Sequence, residues 1–237
     1  MDDNTIYRRA RTIDAGSDID QGLRAYMISV FNYMAVGLGL TGLVAFALAS
    51  NPAAMIAIWS SGLKWVAILA PVALVFFISF KIATLSFQTA QVLFFAYAAL
   101  MGVSLSSILW VFTGESVARV FFITASVFGA MSLYGYTTKR DLSGFGSFLF
   151  MGLIGIVIAS LVNLFLHSSM MQFVISVIGV VVFTGLTAYD VQDIKSVYYS
   201  RDSDETTSKK ALIGALKLYL DFINLFISLM QLFGERR

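Results

Sequence analysis

The stretch LSGFGSFLFMGLIGIVIASLVNLFLHSSMMQFVISVIGVVVFTGLTAY, Leu142–Tyr189, contains no Asp, Glu, Lys or Arg. A helix needs roughly 20 apolar residues to cross the ~30 Å hydrocarbon core of a bilayer. This run is more than twice that length, so it holds two crossings that turn near His167-Ser168-Ser169 and form a hairpin. It is continuously apolar, where barrel strands would alternate over about 10 residues, so the crossings are helices.

The same criterion applied outward gives five more spans: Tyr26–Ala49, Leu63–Phe80, Ala90–Thr113, Val117–Tyr136 and Ala211–Phe233. The hairpin supplies Phe145–Leu166 and Met170–Tyr189. The chain of 237 residues is 58% hydrophobic and 13% charged, against about 45–50% and about 25% in soluble domains, so the bilayer is its solvent. The expected fold class is all-α, a polytopic membrane protein of seven transmembrane helices. Residues 1–25 form a charged leader, expected to be mobile and cytoplasmic, residues 26–234 the membrane domain and residues 235–237 a short tail. The first apolar run is too long for a signal peptide, whose core has about 7–15 residues, and reads as an uncleaved helix. Pro52 reads as a stop after span one, and Pro71 should kink span two.

Zero cysteines and one histidine exclude disulfides, thiol catalysis and zinc or haem sites built from several Cys or His. No cofactor is expected. The formal charge of +2 is too small to suggest nucleic-acid binding. The positions of the charges are more informative. With the N-terminus inside, Arg8, Arg9, Arg11, Arg24, Lys81, Lys139, Arg140, Lys195, Arg201, Lys209 and Lys210 lie on the inner side, and Lys64, Arg119, Arg236 and Arg237 on the outer. That asymmetry favours a cytoplasmic N-terminus. The doubly basic tail runs against it: full crossing of span seven puts the tail outside, and a re-entrant span would return it inside.

Acidic residues inside a span are costly and face protein or water, which makes them functional candidates. Asp190 closes span six and Asp221 lies within span seven. Span seven also carries Gly214, Lys217, Asp221, Asn224, Ser228 and Gln231 at intervals of three and four, one polar stripe on an otherwise apolar helix, so that face turns inward. Two structural readings stand beside this one: Lys217 bonded to Asp221 one turn away, and Asp190 with Lys195 as a wet boundary. Ser104, Ser107, Thr124, Ser132 and Ser160 read as packing residues. The acidic loop Arg201–Glu205 is no EF-hand, because Thr207 stands where glycine is required.

The motifs Gly185-Leu186-Thr187-Ala188-Tyr189-Asp190 with Ile194-Lys195, and Leu218-Tyr219-Leu220-Asp221-Phe222-Ile223-Asn224-Leu225-Phe226 ending at Phe233-Gly234, resemble the Bax inhibitor family, the transmembrane Bax inhibitor motif proteins, in its bacterial YccA/YetJ-like branch. The resemblance covers roughly Arg24 to Gly234. It implies a central seventh helix surrounded by the other six. It also implies a pH-sensitive calcium leak whose cytoplasmic-side gate holds an aspartate pair, matched here by Asp190 and Asp221. Some relatives support the latch with a basic residue at the inner end of span two. Lys81 is the nearest match, and as a lysine it lacks the bidentate fork of arginine. The loop between the two aspartates is longer than the family pattern.

Two carboxyls within hydrogen-bond reach in a low dielectric share a proton and titrate as a pair. Losing that proton would loosen spans six and seven and expose oxygen ligands to a hard cation such as Ca²⁺, bound weakly in passage by Asp190 and Asp221. Tyr189-Asp190 and Asp221 on consecutive spans also mimic the aspartates of presenilin-like proteases. The positions that would read Gly-x-Gly-Asp are instead Leu218-Tyr219-Leu220-Asp221, and no Pro-Ala-Leu follows, so no enzymatic activity is expected. The competing class is an interaction protein, a membrane regulator that docks on a quality-control protease or stress-survival partner and passes no ions. The expected location is the bacterial inner membrane.

Overall fold

A computed structural model describes the backbone of residues 3–82 and 84–237 and the side chains of residues 21–82 and 84–237. The described residues form eight helices: α1 (Asp3–Ala49), α2 (Pro52–Trp59), α3 (Leu63–Lys81), α4 (Phe87–Val111), α5 (Gly114–Thr137), α6 (Ser143–Leu166), α7 (Ser169–Ser196) and α8 (Asp204–Phe233). All but α2 include a stretch long and apolar enough to cross a membrane, which in α1 is Gln21–Ala49. The seven expected spans are therefore present. The side chains of the leader through Asp20 lie outside the described residues.

Capping residues, and not the edge of the apolar run, set the starts of four spanning helices. Ser86, Thr113, Ser168 and Ser203 each accept the N–H three residues on, which satisfies a donor the helix leaves open. Thr113, expected as the end of span three, is thus the cap of α5. At the other end, α7 continues past Tyr189 to Ser196. Helix α8 begins at Asp204 with two acids in its first turn, where the helix dipole favours them. Helix α2 was not expected. Asn51 Oδ1 accepts from the Ala54 N–H at 3.2 Å and Pro52 takes the first helical position; the stop after span one is also a start. Pro71 lies inside α3. His167 closes the α6–α7 turn in the left-handed conformation, φ 50°. Asn163 ties that turn by accepting the Ser168 N–H at 2.9 Å.

Helix α8 is the centre. Of its most apolar stretch 67% is buried, against 39% in α7 and 6% in α6. It packs on α1, α4, α5 and α7, while α3 packs on α4 and α6 on α7. The implied ring of six helices thus resolves into four immediate neighbours and two helices one layer out. Phe222 and Phe226 meet Phe121 edge-on, with centroids 5.6 and 6.5 Å apart, and Phe222 meets Phe128 at 5.5 Å. On another face Thr41 Oγ1 lies 2.6 Å from the Tyr219 hydroxyl and 2.8 Å from the Ala98 carbonyl, joining α1, α4 and α8. Helix α5 approaches α7 so closely at Gly135 that any Cβ there would strike the Ala188 backbone.

The tail shows how far α8 runs. Thr113 N–H donates to the Glu235 carbonyl at 2.9 Å, Arg237 N–H to the Val111 carbonyl at 3.0 Å, and Arg119 pairs with Glu235 at 2.5 Å. The C-terminus therefore meets the α4–α5 turn, at the opposite end of the bundle from the α7–α8 loop where α8 begins. Helix α8 therefore runs from one end of the bundle to the other, as a full crossing requires and a re-entrant segment does not. Reporter fusions placed after Asp141 and after Arg237 are expected to report opposite sides of the membrane. Signals from the same side would contradict the tail's position.

Candidate functional site

The polar stripe of α8 faces α7, and the two helices run antiparallel through a series of close pairs. A Cβ on Gly214 would touch Ile194 at 3.0 Å, and one on Gly179 would stand 2.5 Å from Ser228 Oγ. Small residues at these crossings let the backbones approach. Between them lie the charged groups. Lys217 Nζ bonds Asp193 Oδ2 at 2.7 Å and stands 4.0 Å from Asp190 Oδ1. Deeper in the bundle, Asp190 of α7 and Asp221 of α8 come to one cavity. Asp221 is 4% exposed and its Oδ2 has no hydrogen-bond partner.

A carboxylate can only accept, so a bond between two carboxyls requires a proton on one of them. Lys217 adds one ammonium beside Asp190 and Asp193. Both carboxyls open on a cavity of about 560 Å³ between α6, α7 and α8, lined also by Gly146, Ser147, Phe150, Lys217 and Asn224. A second cavity, about 280 Å³, lies toward the α5–α6 loop and is lined by Lys139, Arg140, Asp141, Gln192 and Asp193. Tyr189 lines both, its ring seated on Gly146, where a Cβ would collide with it. Gln192 fixes the loop above: its side chain accepts the Leu142 N–H and donates to the Arg140 carbonyl, both at 2.8 Å. In that loop the hydroxyl and then the backbone N–H of Ser143 hold the Asp141 carboxyl below its ordinary range.

The structure brings Asp190, Asp221, Lys217 and Asn224 to one cavity. Asn224 Nδ2 donates to the Leu220 carbonyl and Ser228 Oγ to the Asn224 carbonyl, both at 2.8 Å, so Ser228 packs under Gly179 and lies outside that cavity's lining. Gln231 is exposed beyond the stripe's buried part. Lys81 is exposed at the end of α3, a helix that packs on α2 and α4, and the structure does not bring it to the pair. Neither structural alternative describes the bonds found. Lys217 reaches across to α7, not along its own helix to Asp221. Lys195 turns away from Asp190, donating to the Tyr136 carbonyl at 2.9 Å with its ammonium 4.8 Å from that ring's centroid. Asp193 was missed. Its signal was the three-residue spacing from Asp190, which puts both acids on one face of α7.

Comparisons with known proteins agree with this architecture. The family model described as inhibitor of apoptosis-promoting Bax1 matches residues 23–237. Inner membrane protein YbhL of Escherichia coli K12 is 50% identical over 219 residues, covering 91% of this chain and 94% of its own. An uncharacterized protein of Rickettsia prowazekii is 51% identical over 228 residues, 95% and 96% of the two chains. An uncharacterized membrane protein of Streptococcus pyogenes is 38% identical over 238 residues, 99% of each. With nearly the whole membrane domain matched and its two aspartate motifs facing one another across α7 and α8, the chain belongs to the Bax inhibitor family of membrane proteins.

Proposed function

We propose that this protein is a pH-sensitive leak for a hard cation such as Ca²⁺, with the Asp190–Asp221 pair as its latch. The observation that carries the reading is two carboxyls on one cavity, with Asp221 Oδ2 buried and without a partner; in this reading the pair shares one proton. When that proton leaves, two like charges face one cavity in a low dielectric, where repulsion is several-fold stronger than in water. Helices α7 and α8 share that face and separate along it, and the freed carboxylate oxygens meet the ion. Two buried carboxyls offer a hard cation few oxygen ligands, so the reading is of passage and not storage.

The E. coli relative is an inner membrane protein by name, which supports the same location here. The excess of Lys and Arg in the leader and in the loops at the N-terminal end supports a cytoplasmic N-terminus. The test is Ca²⁺ entry into proteoliposomes holding the full chain, followed from about pH 6 to about pH 8. Flux is expected to rise with pH as the shared proton is lost. Protein-free levels at every pH would sink the leak and favour the partner-regulator reading.

A further inference from the structure

Helices α1 and α5 each pack on α8 and leave between them a groove of about 520 Å³. Its walls are Met27, Ile28 and Phe31 from α1 and Phe128, Gly129 and Leu133 from α5. Ile28 and Leu133 are 49% and 64% exposed, so the groove opens sideways to the lipid. Two features need an occupant. Ser132 also lines the groove, is 6% exposed, and its hydroxyl has no hydrogen-bond partner. Elsewhere on α5 the hydroxyls of Thr124 and Ser126 return to the carbonyl one turn back, at 2.8 Å. The Ser132 hydroxyl does not, although burying an unbonded hydroxyl is unfavourable. At the N-terminal end of the groove stand Arg24, exposed, and Tyr136, which carries the Lys195 ammonium over its ring. Cations beside an aromatic ring are what the headgroup level of a bilayer selects.

We propose that this groove binds one anionic phospholipid from the leaflet on the N-terminal side. An acyl chain lies along Met27, Phe31 and Phe128, an ester carbonyl of the glycerol accepts the Ser132 O–H, and the phosphate sits at Arg24. A helix from a partner or a second copy fits less well. At ~10 Å across and 1.5 Å per residue it would fill this volume in about one turn. Its carbonyls are also bonded internally and leave the Ser132 hydroxyl without an acceptor.

The test is native mass spectrometry of the full chain with phosphatidylglycerol or phosphatidylcholine of matched acyl chains, with melting temperature read in parallel. Wild type is expected to retain one lipid and to prefer phosphatidylglycerol about fivefold, the scale of one basic residue at a membrane surface. Arg24→Gln should keep the adduct and lose the preference. Gly129→Leu adds its side chain where nothing lies within 4 Å. It should fill the groove and cut the adduct about tenfold at unchanged melting temperature. Ser132→Ala, which leaves the packing intact, should weaken retention about threefold, on the scale of one hydrogen bond. Equal retention of the two lipids by wild type, full occupancy in both Gly129→Leu and Ser132→Ala, or a dimer free of lipid would overturn the proposal.

Discussion

Asp221→Asn is expected to lower Ca²⁺ flux at least about tenfold and to leave what remains indifferent to pH, with the fold intact. The amide has the carboxyl's size, and its Nδ2–H can donate permanently to Asp190, supplying the hydrogen that the shared proton supplied. The latch then has nothing to lose as pH rises and stays shut. The substitution also removes the charge of the deepest oxygen ligand in the cavity, and a bond to a charged group is worth about 1.5–3 kcal/mol, which by itself corresponds to a tenfold effect or more. Flux in proteoliposomes checks the first claim, and an unchanged melting temperature shows that the loss is not unfolding. Asp190→Asn, at the rim and 15% exposed at its side chain, should chiefly flatten or shift the pH response.

The second large effect belongs to the ion pair above the latch. Among the described residues, Lys217 is the one ammonium placed against Asp193 and Asp190. Lys217→Met removes that positive charge from beside the two acids. The midpoint of flux against pH should therefore move up by about one unit, the usual scale for a nearby opposite charge. Asp193→Asn should act in the other direction. It deletes a neighbouring negative charge and frees Lys217 to turn wholly to Asp190, so the midpoint moves down. Midpoints that stay put in both variants would mean that the pair above is a structural tie between α7 and α8 and no part of the latch.

The spans and the centre of the bundle were legible because the bilayer imposes them: runs of about 20 apolar residues must be helices, and a polar stripe through one of them must face inward. Gly214, Lys217 and Ser228 fulfil this against α7, and Asp221 and Asn224 at the cavity beside it. Helix α2 was hidden because eight residues are too few to register against a 20-residue criterion, although Asn51-Pro52 carried both its cap and its first position. Pairing was the least legible property. Spacing allows Lys217 to reach Asp221, and only the crossing of two helices shows that Asp193 is nearer. Lys81 fails for the same reason, since its place at the inner end of span two says nothing of which neighbours α3 has. The tail's hydrogen bonds to Val111 and Thr113 are backbone contacts over a long sequence separation, which no local pattern encodes.

The central claim is that Asp190 and Asp221 act as one proton-sharing unit, and a double-mutant cycle tests it most directly. Ca²⁺ flux of wild type, Asp190→Asn, Asp221→Asn and the double variant is measured in proteoliposomes from about pH 6 to about pH 8. If the carboxyls share one proton, the logarithmic loss in the double variant falls well short of the summed single losses, and the pH dependence disappears in the two variants that contain Asp221→Asn and flattens or shifts in Asp190→Asn. Additive losses, or a wild-type pH profile that survives both substitutions, would contradict it.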